Sequence, residues 1–188
     1  SSEAARRQYL DAMGITLWER RAAAAPGIPG PAVAPGSVAP AAGTGPAWIA
    51  LEEAVRSCTK CALHATRTQT VFGVGNRRAQ WMFVGEAPGA DEDRQGEPFV
   101  GAAGKLLNAM LTALGLKREE VFIANVLKCR PPNNRDPQAG EVEQCEPYLI
   151  RQIELIQPKL IVALGRHAAH SLLKTDLALA RLRGQPLS

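Results

Sequence analysis

Four cysteines are the side chains best suited to chemistry in this 188-residue chain; Cys58, Cys61, Cys129 and Cys145 follow the spacing C-x2-C-x67-C-x15-C. Two ligands on a tight turn and two delivered by later elements can close a tetrahedral sulfur site, which suits zinc or an iron-sulfur cluster. Spacing alone does not choose between them, although the wide gap from Cys129 to Cys145 leans towards a cluster, because structural zinc modules usually bring their second pair close as well. Inert core thiols are the plainer alternative, but Arg56, Lys60 and Arg130 stand beside the cysteines, and neighbouring cations favour the reactive thiolate. No charged start with an apolar core opens the chain, so a cytoplasmic setting is expected, and with it metal or redox chemistry in place of disulfides.

Two loops carry the other candidates. The first runs from Gly85 and Glu86 through Ala87, Gly89, Asp91, Glu92 and Asp93 to Phe99 and Gly101. Its glycines permit close backbone approach to a ligand, and its exposed amides can hold an anion. Neither GxxxxGK[ST] nor GxGxxG occurs in it, which removes the simplest support for nucleotide hydrolysis or hydride transfer. Phe99 in this polar loop is either a plug for the local core or a stacking platform for a base. The second loop opens at Asn125 and runs through Lys128, Cys129, Arg130 and the prolines to Arg135. An Asn amide offers the donor and acceptor that reading a nucleobase edge requires, or it simply caps a turn. Lys128, Arg130 and Arg135 make a compact basic patch suited to phosphates, or a solvated charged loop.

These loops need a scaffold. Three apolar runs, Trp81 to Val84, Val121 to Ala124 and Leu160 to Leu164, read as buried parallel strands. Helical patterns lie between them at Gly104 to Leu114 and Glu141 to Ile156, and another begins after Gly165. Strand, helix, strand, helix, strand predicts an α/β fold, a three-layer sandwich around a mainly parallel sheet, whose ligand site lies beyond the carboxyl ends of the strands. Both loops sit there. Residues 1–22 carry Tyr9, Leu10, Met13, Leu17 and Trp18 close to one helical face, residues 23–47 form an Ala/Pro/Gly linker, and the globular domain is expected over 48–188. At 46% hydrophobic and 21% charged the chain is globular in composition, and its net charge of +4 is a mild basic excess that fits a polyanionic partner without naming one. No apolar run approaches the roughly 18 residues of a membrane span.

Taken together, these motifs resemble those of the family 4 uracil-DNA glycosylases, the iron-sulfur branch of the uracil-DNA glycosylase superfamily. The resemblance rests on GEAPGADEDRQGEPFVG, on NVLKCRPPNNRDP and on the cysteine spacing, and it covers Leu51 to Leu173. It implies a sheet of about four strands, a DNA repair glycosylase that flips uracil out of DNA and hydrolyses its N-glycosidic bond, and a [4Fe-4S] cluster on Cys58, Cys61, Cys129 and Cys145. Gly85, Glu86, Ala87 and Gly89 would line the uracil pocket and water site, Phe99 would stack on the flipped base, and Asn125 would pair with its Watson-Crick edge. Glu86, Asp91 and Glu92 are candidates for holding the water, and Lys128, Arg130 and Arg135 for contacting DNA. A monomer associated with the nucleoid is expected, with the N-terminal segment available to a replication or repair protein.

The family's His-Pro-Ser-Pro motif does not occur in this chain; its histidines are His64, His167 and His170. At helical spacing, His167 and His170 are expected to be surface or packing residues. The fourth strand is expected beyond the chain, which reads as a fragment of a longer enzyme, with a non-cleaving DNA-binding module and a redox or regulatory iron-sulfur protein as rivals. The covalently trapping branch of the superfamily is disfavoured, because Lys128 leads straight into Cys129-Arg130-Pro131-Pro132 without a His-bearing insertion.

Overall fold

A computed structural model describes residues 45–182. The N-terminal helix expected over 1–22 lies outside the described residues, as does the linker up to residue 44. Helix α1 (Pro46–Arg56) opens with proline at its first turn, where a missing N–H costs nothing, and buries Trp48, Leu51 and Val55 along one face. A 3-10 turn (Ala62–Ala65) follows the cysteine pair and buries Leu63. The sheet then begins with a strand absent from the sequence reading, β1 (Val74–Gly75), antiparallel to β3. The expected strands follow as β2 (Trp81–Gly85), β3 (Phe122–Asn125) and β4 (Leu160–Ala163), all parallel, in the order β1-β3-β2-β4.

The sheet thus has four strands, but the addition to the expected three is β1, packed beside β3. No periodicity marks a two-residue strand, and Gly73 and Gly75 adopt φ +140° and +118°, with no room for a Cβ between Gly75 and the Val121 carbonyl.

Helices α2 (Ala90–Gln95), α3 (Ala102–Ala113), α4 (Ala139–Ile156) and α5 (Arg166–Leu173) complete the domain. Alternation along the strands builds the layers. Met82, Val84, Phe122 and Ala124 face Trp48 of α1, Leu149 and Ile156 of α4 and Ala168 of α5. Phe83 and Ile123 face the other way, onto Leu107 and Leu111 of α3. Each such side chain contributes roughly 1.5–3 kcal/mol by leaving water. A third cluster joins Leu51, Val55, Leu63, Leu127 and Tyr148 to Cys129 and Cys145. Among the described residues β4 pairs only with β2; a groove lined by Leu149, Ile153, Val162 and Leu172 runs along its outer side. No described helix is long and apolar enough to cross a membrane.

Candidate functional site: a base pocket beside a cysteine centre

Gly85 closes β2, Asn125 closes β3, and the two are register partners. A Cβ on Gly85 would clash with Asn125 Oδ1 and stand 2.6 Å from Phe99 Cζ, so the missing side chain is what lets the ring and the amide meet. Asn125 is 2% exposed and its Oδ1 has no hydrogen-bond partner. A buried orphan acceptor carries a desolvation penalty that a ligand donor would relieve.

Phe99 reaches this point at φ 56°, a left-handed conformation that is a genuine outlier for a bulky residue. Its loop is held on both sides: Gly104 leaves room for the Phe99 carbonyl, and Glu92 Oε1 accepts the amides of Val100 and Gly101 at 3.0 Å each. Glu92 Oε2 accepts Gly89 N–H at 3.1 Å as well. Burial would raise the Glu92 carboxyl, but the amides, that of Gly101 foremost, outweigh it and hold the group below the usual carboxylate range. Glu92 is therefore a clasp for the loop, while Asp91 pairs with Arg94 on the surface of α2.

Glu86 follows Gly85 and is half-exposed. Burial raises its carboxyl above the ordinary value; His167 opposes the rise, Asp136 adds to it and Arg166 opposes it. His167 Nε2 lies 3.8 Å from Glu86 Oε2 and 3.3 Å from Asp136 Oδ2. Arg166 reaches Asp136 at 3.2 Å and His167 Nε2 at 3.0 Å. His170 Nε2 meets the Leu177 carbonyl at 2.8 Å, whereas the partly exposed His167 stands at the carboxyl edge of the sheet. Its position at the start of the helix after a parallel strand was the available signal.

The basic patch also needs correction. Lys128 is 1% exposed, its Nζ donating to the Asn125 carbonyl at 2.8 Å and to Gln152 Oε1 at 2.7 Å, so it cannot touch phosphate. Burial pushes its amine down to about 8. Arg135 makes two bonds to Glu141, at 2.9 and 2.6 Å. Arg130 is half-exposed, with Nε on Asn134 Oδ1 at 2.7 Å. Arg135 holds the Glu141 carboxyl below its usual range. A carboxyl depressed in the folded state stabilises above its unfolded value, near about 4.3, and that stability is lost as pH falls through the lower folded value. Glu141→Gln is accordingly expected to lower the urea midpoint at pH 7, and the gap from the parent protein to narrow as the pH falls below the unfolded value towards the lower folded one; midpoints measured from neutral pH into acid check this.

Cys58, Cys61, Cys129 and Cys145 line one hollow with Lys128 and Tyr148. Cys145 sits on the buried face of α4, and Lys128 N–H points at its Sγ from 3.1 Å. Arg67 Nη1 lies 3.1 Å from Cys129 Sγ. Burial raises the Cys129 thiol and pushes Cys145 up to about 11, so a bound cation would be needed to hold them as thiolates. Among the described residues no three of these sulfurs lie within 4.8 Å of one another. One tetrahedral zinc with Zn–S near ~2.3 Å would hold its sulfurs roughly 3.8 Å apart. The donor set fits a larger group, and the cation of Arg67 beside Cys129 Sγ suits an anionic one.

A family model described as the uracil DNA glycosylase superfamily matches residues 72–187. The chain belongs to the uracil-DNA glycosylase superfamily, in its type-4 family. It is 65% identical to the type-4 uracil-DNA glycosylase of Archaeoglobus fulgidus, over 61% of this chain and 58% of that protein. The type-4 enzyme of Sulfurisphaera tokodaii is 60% identical over 63% and 54% of the two chains, and that of Thermotoga maritima 46% identical over 73% and 72%. The chain thus spans little more than half the length of the first two relatives.

Proposed function

We propose that this chain recognises uracil flipped out of DNA and, as part of a glycosylase, hydrolyses the bond between that base and its sugar. One observation carries the reading: the buried, partnerless Oδ1 of Asn125 faces the Phe99 ring across the bare Cα of Gly85. A base in a duplex is unreachable, so it must be extruded at a cost of a few kcal/mol, which stacking and edge hydrogen bonds offset. Phe99 supplies the stacking face. Asn125 accepts uracil N3–H at Oδ1 and donates its amide to O4. Cytosine presents the opposite pattern and leaves buried polar groups unpaired.

Cleavage builds positive charge on the sugar and negative charge on the departing base. In the Gly85–Gly89 loop Pro88 has no N–H and that of Gly89 is taken by Glu92, so the donor to uracil O2 is assigned to one of the earlier amides of the loop, that of Ala87 among them. Glu86 is the residue best placed to hold the attacking water, since Glu92 is committed to the loop and Asp91 to Arg94. The position of Arg130 supports contact with the DNA backbone. Cys58, Cys61, Cys129 and Cys145 hold a [4Fe-4S] cluster, which supplies a structural clasp between the C-x2-C turn, the loop after β3 and α4. The chain works on uracil-containing DNA, as a monomer in the cytoplasm.

The test is anaerobic purification followed by incubation with single- and double-stranded DNA carrying one uracil. Free uracil and alkali-sensitive strand breaks are expected from a brown protein. Binding without release, under conditions in which a longer type-4 relative cleaves, would leave recognition and remove hydrolysis from this chain.

A further inference from the structure

Lys128 occupies a position that stability does not explain. Its ammonium is out of water among two neutral acceptors, Asn125 O and Gln152 Oε1. Burying a charge in that way is costly, and a methionine of similar volume would avoid the penalty. Gln152 is itself fully buried and donates its amide to the Phe72 carbonyl at 2.9 Å. What the arrangement achieves is local. The peptide after Asn125 is gripped on both sides, its carbonyl by the Lys128 ammonium and its N–H, on Val126, by Gly85 O at 2.9 Å. That grip sets the backbone of Asn125 and therefore the direction of its Cα–Cβ bond. The side chain needs such help, because its Oδ1 has no protein partner to aim it.

The main chain of Lys128 is anchored too, its N–H at Cys145 Sγ and its carbonyl accepting Val71 N–H at 2.8 Å. We infer that Lys128 is the positioning residue that aims Asn125 at the base, and that through its amide it ties the base reader to the cysteine centre. The inference rests on Asn125 reading uracil. It makes an intact cysteine centre a condition for selective recognition.

The experiment compares the full chain with its Lys128→Met and Gln152→Met variants, each loaded with iron and sulfide. Visible absorbance, thermal midpoint and affinity for DNA with one uracil against the same DNA with thymine are measured. Lys128→Met is expected to keep its absorbance and midpoint, and its affinity for thymine DNA, while its preference for uracil falls at least tenfold. Gln152→Met, which removes one of the two groups holding the ammonium, is expected to lose part of the preference, and it decides the matter if Lys128→Met does not fold. An unchanged uracil preference in a folded, loaded variant overturns the inference and leaves the uracil reading standing. An unsubstituted chain without uracil preference overturns the uracil reading, and this inference with it.

Discussion

Asn125→Asp will lose selectivity for uracil over cytosine by about 1–3 kcal/mol, roughly five- to 150-fold, the discrimination carried by one bidentate edge contact. The carboxylate offers two acceptors and no N–H, so it can no longer donate to uracil O4, and it gains an acceptor for the cytosine amino group. Uracil turnover falls at the same time, because two oxygens then face each other in a position that is 2% exposed. Among the described residues Asn125 Oδ1 makes no hydrogen bond, so the substitution breaks no such bond of that atom, and the change in selectivity reads recognition. Competition between uracil- and cytosine-containing oligonucleotides, with absorbance and thermal midpoint as controls on folding, measures it. Selectivity that survives the change removes Asn125 from the reader's role.

Cys129→Ser will cost the visible chromophore and most of the soluble protein. Cys129 is 5% exposed, between Leu127 and Arg67, and its sulfur belongs to the apolar cluster that joins α1, the 3-10 turn and α4. The segment from Ser57 to Phe72 contains only that turn as regular structure; the cysteine centre and buried Leu63 and Val71 secure it, together with the Thr68 amide on Asp93 and the Val71 amide on the Lys128 carbonyl. Structural metal sites supply on the order of 10 kcal/mol of folding free energy, comparable to the whole stability of a domain. The same segment ends at Phe72, whose carbonyl receives Gln152, so its loosening reaches the base pocket through Lys128. Soluble yield, circular dichroism and the visible spectrum check the outcome. A colourless Cys129→Ser protein that remains folded would show that the centre is no clasp.

The two predictions draw on different kinds of legibility. The strands β2, β3 and β4 stood out as short apolar runs, β2 and β3 because both their faces are covered, and α4 stood out as a helical pattern over Glu141 to Ile156. Family motifs pointed to Gly85, Phe99 and Asn125, and the structure brings those three together. Glu92 looked like a water-holding carboxylate until its three backbone amides were visible, since a side chain's partners in another loop leave no local trace.

The sequence by itself determined the α/β layering, the cysteine set and the loops that carry the pocket, because periodicity, turn residues and motifs are local properties of the chain. Tertiary structure alone decided which charged groups remain at the surface. Lys128 and Arg135 carry the same formal charge in one loop, yet one turns into the core onto Asn125 O and Gln152 and the other pairs with Glu141. His167 and His170 lie three residues apart on one helix, yet only His167 meets Glu86. These outcomes depend on partners 3 to 81 positions away in the chain, and which of them a side chain meets is a property that one-dimensional spacing does not encode.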